Sequence, residues 1–300
     1  MSAVRVMVPA STANLGPGFD CLGMALKLYN IVEMQEATKL EITVEGEGTT
    51  SIARDDSNLV CRAAAMLFER AGYRPGGLQI HLINNIPLAR GLGSSSAAIL
   101  GGLLAANALC GHPFAKQELL DMALKLEGHA DNLAAALYGG IAIVAPVDGR
   151  VRHVKLYPPA GLKVIAAVPD YTLSTAASRK VLPETIPYRD AVYNLGRLAL
   201  LVAALSRQDT ELFSVAMQDA LHQPYRSTLI PGMPAAMQAA QDAGALSVTL
   251  SGAGPTITAF ACTREKEIAR TMQQSLSDSG ISGRVLILEP DSEGAKLKEQ

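Results

Sequence analysis

The chain has 300 residues, 49% of them hydrophobic and 18% charged, with a formal net charge of −2. That is enough chain for one large domain or two ordinary ones around a sizeable core. A nearly balanced charge with no basic run excludes nucleic acid as the main partner, because a phosphate backbone is gripped by clustered cations, and no apolar run nears the roughly 18 residues of a membrane span.

Residues 5–8 read as a strand followed by a Gly/Asn/Pro loop over 11–18, and 25–36 and 40–44 as further strands. Helical spacing over 59–71 stops near Gly72, and Leu78, Ile80 and Leu82 alternate with Gln79 and His81 as in a half-buried strand. Residues 95–109 form the next expected helix, ended by Gly111; 117–126 follow as a helix, 132–137 as a helix start and 141–144 as a buried strand. Tyr157-Pro158-Pro159 with Gly161 marks the expected boundary between domains 1–158 and 159–300. Beyond it come a strand at 162–168, helices at 189–206, 209–220 and 234–243, and strands at 246–250 and 256–262 paired as in a hairpin. A helix at 265–277 and a strand at 284–288 close the order. This is a ferredoxin-like split βαβ half behind a mixed first domain, so the expected class is α+β. The apolar stretch 198–205 suits the core or an interface, the core being the commoner use. Four scattered cysteines (Cys21, Cys61, Cys110, Cys262) make no zinc spacing and read as reduced, while the first residues read as strand and not as a signal peptide, so a cytoplasmic protein is expected.

The richest segment is Pro87-Leu88-Ala89-Arg90-Gly91-Leu92-Gly93-Ser94-Ser95-Ser96, between the strand at 78–83 and the long apolar helix. Gly91 and Gly93 allow a tight turn with free amides, and the following helix start adds unpaired N–H groups and the positive end of its dipole. An anion fits there, most plausibly a nucleotide phosphate. The chain has no Gly-Lys pair for a P-loop, and Ser96 stands at the third glycine of a dinucleotide pattern. Read on its own, the segment also fits an ordinary turn and helix cap.

Three further segments stand with it: Pro9 to Asp20 (PASTANLGPGFD), Glu127-Gly128-His129-Ala130-Asp131-Asn132 followed by Tyr138-Gly139-Gly140, and Ser251-Gly252-Ala253-Gly254-Pro255-Thr256. On these residues the chain resembles the small-molecule kinase superfamily named for galactokinase, homoserine kinase, mevalonate kinase and phosphomevalonate kinase. The resemblance spans nearly the whole chain and includes all three motifs of that superfamily. Asn14 to Asp20, Glu127 to Asn132 and Ser174 to Arg179 are similar in particular to the homoserine kinase branch, with Ala130 where that branch often has Pro.

The resemblance implies two α+β domains with the active site between them, a homodimer, and transfer of the ATP γ-phosphoryl to the side-chain hydroxyl of L-homoserine, a step towards threonine. The amides from Gly91 to Ser96 would hold the nucleotide phosphates. Ser95, or Ser96 beside it, would join Glu127 in binding Mg²⁺, an ion content with one or two protein oxygens besides phosphates; Ser95 alone also reads as an N-cap. A zwitterionic substrate needs a cation and an anion: Arg179 and Arg226 are candidates for its carboxylate and Asp20 for its ammonium. Asn14 and Asn132 would bond its polar ends, Asn132 nearest the hydroxyl, and Gly252 would let the backbone come close. Asp131 is the candidate to orient that hydroxyl or accept its proton late, since the loose transition state lets positioning carry most of the rate. Asn58 lies in the segment the resemblance places at the adenine, and it also reads as a helix N-cap.

Among the histidines, His129 lies inside the third segment, His81 reads as exposed, and His112, His153 and His222 have no partner visible in the sequence. Two other functions compete: a kinase for mevalonate or a sugar, disfavoured by Asp20, Arg179 and Arg226, and a catalytically dead ligand sensor, disfavoured by intact Ser95, Glu127 and Asp131.

Overall fold

In the computed structural model, which describes residues 3–298, the order is β1 (Val4–Asn14), β2 (Gly18–Glu36), β3 (Glu41–Gly46), α1 (Leu59–Ala71), β4 (Leu78–Asn84), α2 (Ser94–Leu109), α3 (Lys116–Glu127), α4 (Asp131–Tyr138), β5 (Ile141–Val147) and β6 (Arg150–Leu156). It continues with β7 (Lys163–Pro169), α5 (Thr175–Lys180), α6 (Tyr188–Ser206), α7 (Phe213–Ala216), α8 (Gln223–Arg226), α9 (Met233–Asp242), β8 (Ser247–Leu250), β9 (Ile257–Ala261), α10 (Glu265–Asp278), β10 (Gly283–Leu288) and β11 (Lys296–Lys298).

The first sheet runs β11-β1-β2-β4-β3, with β5 pairing β2 and β6. Among the described residues only β3 and β4 pair in parallel. The long β2 pairs β5 through Leu22–Met24 and β4 through Ile31–Glu36, so one strand serves two neighbours. Helices α1, α2, α3 and α4 cover this sheet. Helix α2 is apolar nearly all round, as a helix buried inside a domain must be. The second sheet is antiparallel in the order β10-β7-β9-β8, the split βαβ arrangement expected from the sequence. Its far face packs on α9 and α10 through Ile165, Leu250, Ile268 and Met272.

Four sequence expectations differ from the structure. Strand β1 continues to Asn14 because Ala10–Ala13 pair with β2 across a bulge, so the polar run Ser11-Thr12 lies in the sheet, fully buried. Strand β6 returns through the left-handed pair Asp148-Gly149, a hairpin signal present in the sequence. The helix expected over 209–220 shrinks to Phe213–Ala216, because Asp219 caps α8 with its side chain instead of continuing α7. Lastly, the end of the chain leaves the second sheet and returns to the first: β11 pairs β1 and so crosses the division drawn at 158/159.

Candidate active site

A cleft of about 530 Å³ lies between the start of α1, the β4–α2 loop and the loops of the second sheet. Leu88, Ala89, Arg90, Gly91, Gly93, Ser94 and Ser95 line it; Pro87, Leu92 and Ser96 are buried behind the wall. Gly91 and Gly93 have φ of +79° and +73°. A Cβ on Gly91 would stand 2.2 Å from the Ser251 carbonyl oxygen, and one on Gly93 2.1 Å from Ser11 Oγ. Neither position tolerates a side chain, for reasons of angle and of space.

The loop's carbonyls point outward and are all used. Ala89 O accepts from Leu173 N (3.1 Å), Arg90 O from Thr256 N (3.3 Å), Gly91 O from Ser251 Oγ (2.5 Å) and Leu92 O from Ser11 N (3.1 Å). Among the described residues no amide of residues 90–96 donates a hydrogen bond. A loop with its acceptors spent and its donors free, ending in a helix N-terminus, binds anions. The Arg90 guanidinium reaches the carbonyls of Leu88, Pro169 and Asp170, so it fastens the loop to the end of β7.

The wall away from the loop carries Ile52, Val60, Leu82 and Ala98, apolar surface suited to a planar base. Asn58 is there as well and caps α1: Oδ1 accepts from Val60 N at 2.9 Å and Nδ2 donates to Ala53 O at 2.7 Å. Helix α2 has Gly93 at its N-cap and no side-chain cap bond, so Ser95 is not a cap. Ser95 Oγ donates to Glu127 Oε2 at 2.7 Å, and Ser96 Oγ to Glu127 Oε1 at 3.3 Å. Three hard oxygen groups thus meet where the loop's amides converge, a donor set that suits Mg²⁺.

Helix α4 starts at Asp131, which is 2% exposed. Burial pushes its carboxyl up to about 7, while the bond from the Asn132 amide opposes the rise. Oδ1 accepts from Asn132 N at 2.7 Å; Oδ2 has no hydrogen bond among the described residues. Ser11 Oγ donates to Asn132 Oδ1 at 2.8 Å and Asn132 Nδ2 donates to Asp131 Oδ1 at 3.5 Å, which fixes the Asn132 side chain on the cleft wall. Asp131 lies behind the cleft wall that Asn132 lines, and a carboxyl that ionises near pH 7 can exchange a proton there.

Beyond Gly252, which lines the cleft, the remaining expected substrate residues form one charged cluster. Asp20 and Arg179 pair at 2.5 Å. Asn14 holds the turn on which Asp20 sits, donating to Gly252 O at 3.1 Å and accepting from Asp20 N at 3.1 Å. Arg226, 2% exposed, donates from Nη1 to Gly252 O at 2.9 Å and from Nε to Ser178 O at 3.2 Å. Burial, and then Arg179, lower its guanidinium to about 10. His129 is held below the usual imidazole range by burial first and by Arg179 next. Two cations beside one carboxylate match the two ends of an amino acid.

Several residues in this cluster were not singled out from the sequence. The Phe19 ring lies under both guanidinium groups, at 5.2 Å from Arg179 and 5.1 Å from Arg226. His222 is wholly buried and bonded on both nitrogens. Outside the cluster, His153 stacks on Tyr138 at 4.1 Å, and His81, expected exposed, is half-buried between Glu33 and Glu45 at 3.1 Å each. These contacts join residues far apart in the chain, so no local pattern announces them. His222 had one signal: it stands four residues before Arg226, one helical turn away.

Residues 58–140 match the family model described as the GHMP kinases N terminal domain, and residues 201–281 the model for the GHMP kinases C terminal domain. The fold and the phosphate loop therefore define a GHMP kinase, with the cleft between the two sheets. The chain is 45% identical over 295 residues to a homoserine kinase of Desulfitobacterium hafniense, covering 98% of this chain and 99% of that one. It is 46% identical to a homoserine kinase of Carboxydothermus hydrogenoformans over 294 residues, 97% of this chain and 96% of that one. The crystal structure of homoserine kinase from Cytophaga hutchinsonii superposes with a TM-score of 0.91 at 32% identity, over 99% of this chain and 98% of that chain. Within the GHMP kinases the chain belongs to the homoserine kinase family.

Proposed function

We propose that the chain transfers the γ-phosphoryl group of ATP to the side-chain hydroxyl of L-homoserine, giving O-phospho-L-homoserine for threonine synthesis. The observation that carries this reading is the position of Gly252. It lines the nucleotide cleft while its carbonyl accepts from Asn14 and Arg226 of the charged cluster. A substrate held by Asp20, Arg179 and Arg226 therefore has its hydroxyl end beside the phosphate loop, Asn132 and Asp131. Mevalonate lacks the ammonium that Asp20 would bind, and a sugar lacks the carboxylate for two arginines.

The free amides of residues 90–96 bind the phosphate chain, and the apolar wall with Asn58 takes the base. Ser95, exposed where Ser96 is wholly buried, and Glu127 would hold Mg²⁺. When bound, the ion offsets charge on the β- and γ-phosphate oxygens. Asn132 donates to the attacking hydroxyl oxygen and Asp131 takes its proton. Positioning two reactants in one closed cleft supplies most of the acceleration. The same reading includes a cytoplasmic location and a homodimer, for which exposed Tyr188, Val192 and Leu195 of α6 offer an apolar face. Among the described residues no helix is long and apolar enough to cross a membrane.

The test is ADP release by purified protein with Mg²⁺ and ATP against L-homoserine, L-threonine, L-serine, mevalonate and galactose. Turnover confined to homoserine is expected. Turnover on mevalonate or galactose overturns the substrate assignment, and nucleotide binding without turnover overturns the enzymatic one.

A further inference from the structure

His222 is a fully buried imidazole for which the phosphoryl transfer has no use. Its ring nevertheless lies between two loops of the substrate cluster. Nε2 is 2.8 Å from the Gly16 carbonyl oxygen. A carbonyl only accepts, so Nε2 carries the proton. The group facing Nδ1 is Arg226 Nη1, at 3.4 Å. A guanidinium only donates, so the nitrogen it faces, Nδ1, is the acceptor; burial holds this imidazole below its ordinary range, while the Asp219 carboxylate 3.5 Å from Nε2 acts in the opposite direction.

The Arg226 guanidinium is thereby held from three sides: His222 Nδ1 and Gly252 O on Nη1, and Ser178 O on Nε. Nη2 makes no hydrogen bond among the described residues. It is the edge left for a carboxylate. His222 is itself fixed. The Asp219 carboxylate accepts from the amides of Leu221, His222 and Gln223, which sets the backbone at the start of α8. The ring also stacks on Phe19 at 5.3 Å, the same ring that underlies both guanidinium groups.

We infer that His222 is a positioning residue for substrate recognition: with Nε2 donating to Gly16 O and Nδ1 accepting, it orients Arg226 so that the Nη2 edge meets the amino-acid carboxylate. This rests on Arg226 binding that carboxylate, and the experiment separates the two claims. Asparagine places an amide oxygen where Nδ1 stands, and glutamine places its amide at Nε2. H222N thus keeps the acceptor for Arg226, while H222Q keeps only the bond to Gly16. The measurements are KM for homoserine, KM for ATP and kcat for H222N, H222Q, R226Q and the double variant H222Q/R226Q.

The expected result is a rise in KM for homoserine of about tenfold or more in H222Q, the size that follows when a charged donor loses its acceptor. KM for ATP should stay within about twofold, and H222N should recover most of the loss. In the R226Q background H222Q should add little. A KM is independent of how much protein is folded, so partial misfolding lowers apparent kcat and leaves the comparison intact. Equal losses in H222N and H222Q, or a rise in KM for ATP matching that for homoserine, overturn the positioning role in favour of packing. If R226Q raises KM for homoserine and H222Q does not, His222 is excluded while the Arg226 reading stands. If R226Q leaves that KM unchanged, the Arg226 reading falls and this inference with it.

Discussion

Asp131 titrates in the range where an enzyme works. Burial holds its proton on until about pH 7, whereas in the unfolded chain it leaves near pH 4. Between those values the unfolded chain is ionised and the folded one is not. The folded state therefore loses stability as pH rises through this window, and the loss is constant above it. Asp131→Asn removes the effect. The melting-temperature difference, Asn minus Asp, should grow from pH 4 to pH 7 and then level off; a difference independent of pH counts against the assignment. The same variant should turn over about 10²-fold more slowly or worse if Asp131 accepts the hydroxyl proton, and a change within a few-fold leaves orientation by Asn132 as its whole role. At Glu127 the expected effect is on the metal. Glu127→Gln and Ser95→Ala should each raise the Mg²⁺ concentration for half-maximal rate about tenfold, as happens when one of few protein oxygens is lost. Ser96→Ala should do less, because Ser96 is buried and 3.3 Å from the carboxylate. Equal shifts for the two serines would remove the distinction.

At the scale of elements the loop before α2 is held from outside. Its four carbonyls are bonded by β1, by the segment after β7 and by the β8–β9 loop, and Arg90 adds a tie to Pro169. The loop's shape depends on the second sheet, although its residues belong to the first half of the chain. Gly91→Ala strains a φ of +79° and drives a methyl group to 2.2 Å from the Ser251 carbonyl oxygen. It should destabilise the fold by roughly 1–3 kcal/mol, measured by urea unfolding, and raise KM for ATP more than KM for homoserine. An unchanged KM for ATP would mean that the loop does not hold the nucleotide. The loop's presence was legible from Gly, Ser and the helix behind it. Its fastening was not, because the partners Leu173, Ser251 and Thr256 lie far along the chain.

At the scale of the molecule the final segment joins the two sheets. Glu289 bridges Lys27 of β2 and Lys163 of β7, which hold its carboxyl down at about 2. The chain then crosses to the first sheet, where Asp291, 2% exposed, accepts from Tyr29 Oη (2.5 Å), Glu293 N (2.8 Å) and Gly294 N (2.6 Å). Ala295 N bonds Ala136 O, so the segment also backs α4, whose first turn carries Asp131 and Asn132. Asp291→Ala leaves three donors without their acceptor and should cost about 3 kcal/mol of stability, read from denaturant midpoints. A loss below about 0.5 kcal/mol, the size of an ordinary surface change, would show that the crossing segment is dispensable.

By itself the sequence determined the class of fold and the family, and it located the glycine-serine loop and the groups expected around it. Glycine punctuation, helix periodicity and the motif residues are local, and local patterns are set by backbone sterics within a few residues. Helix α1 and strand β4 start where that reading placed them. Only the tertiary structure decided which groups act together. It paired Asp20 with Arg179 across 159 positions and Ser95 with Glu127 across 32. It tied the Arg90 guanidinium to the end of β7, and it brought the last strand back to the first sheet. It also set the buried His222 against Arg226. Burial sets which titratable group is charged and which donor remains free, and burial belongs to the packed molecule, not to any short stretch of chain.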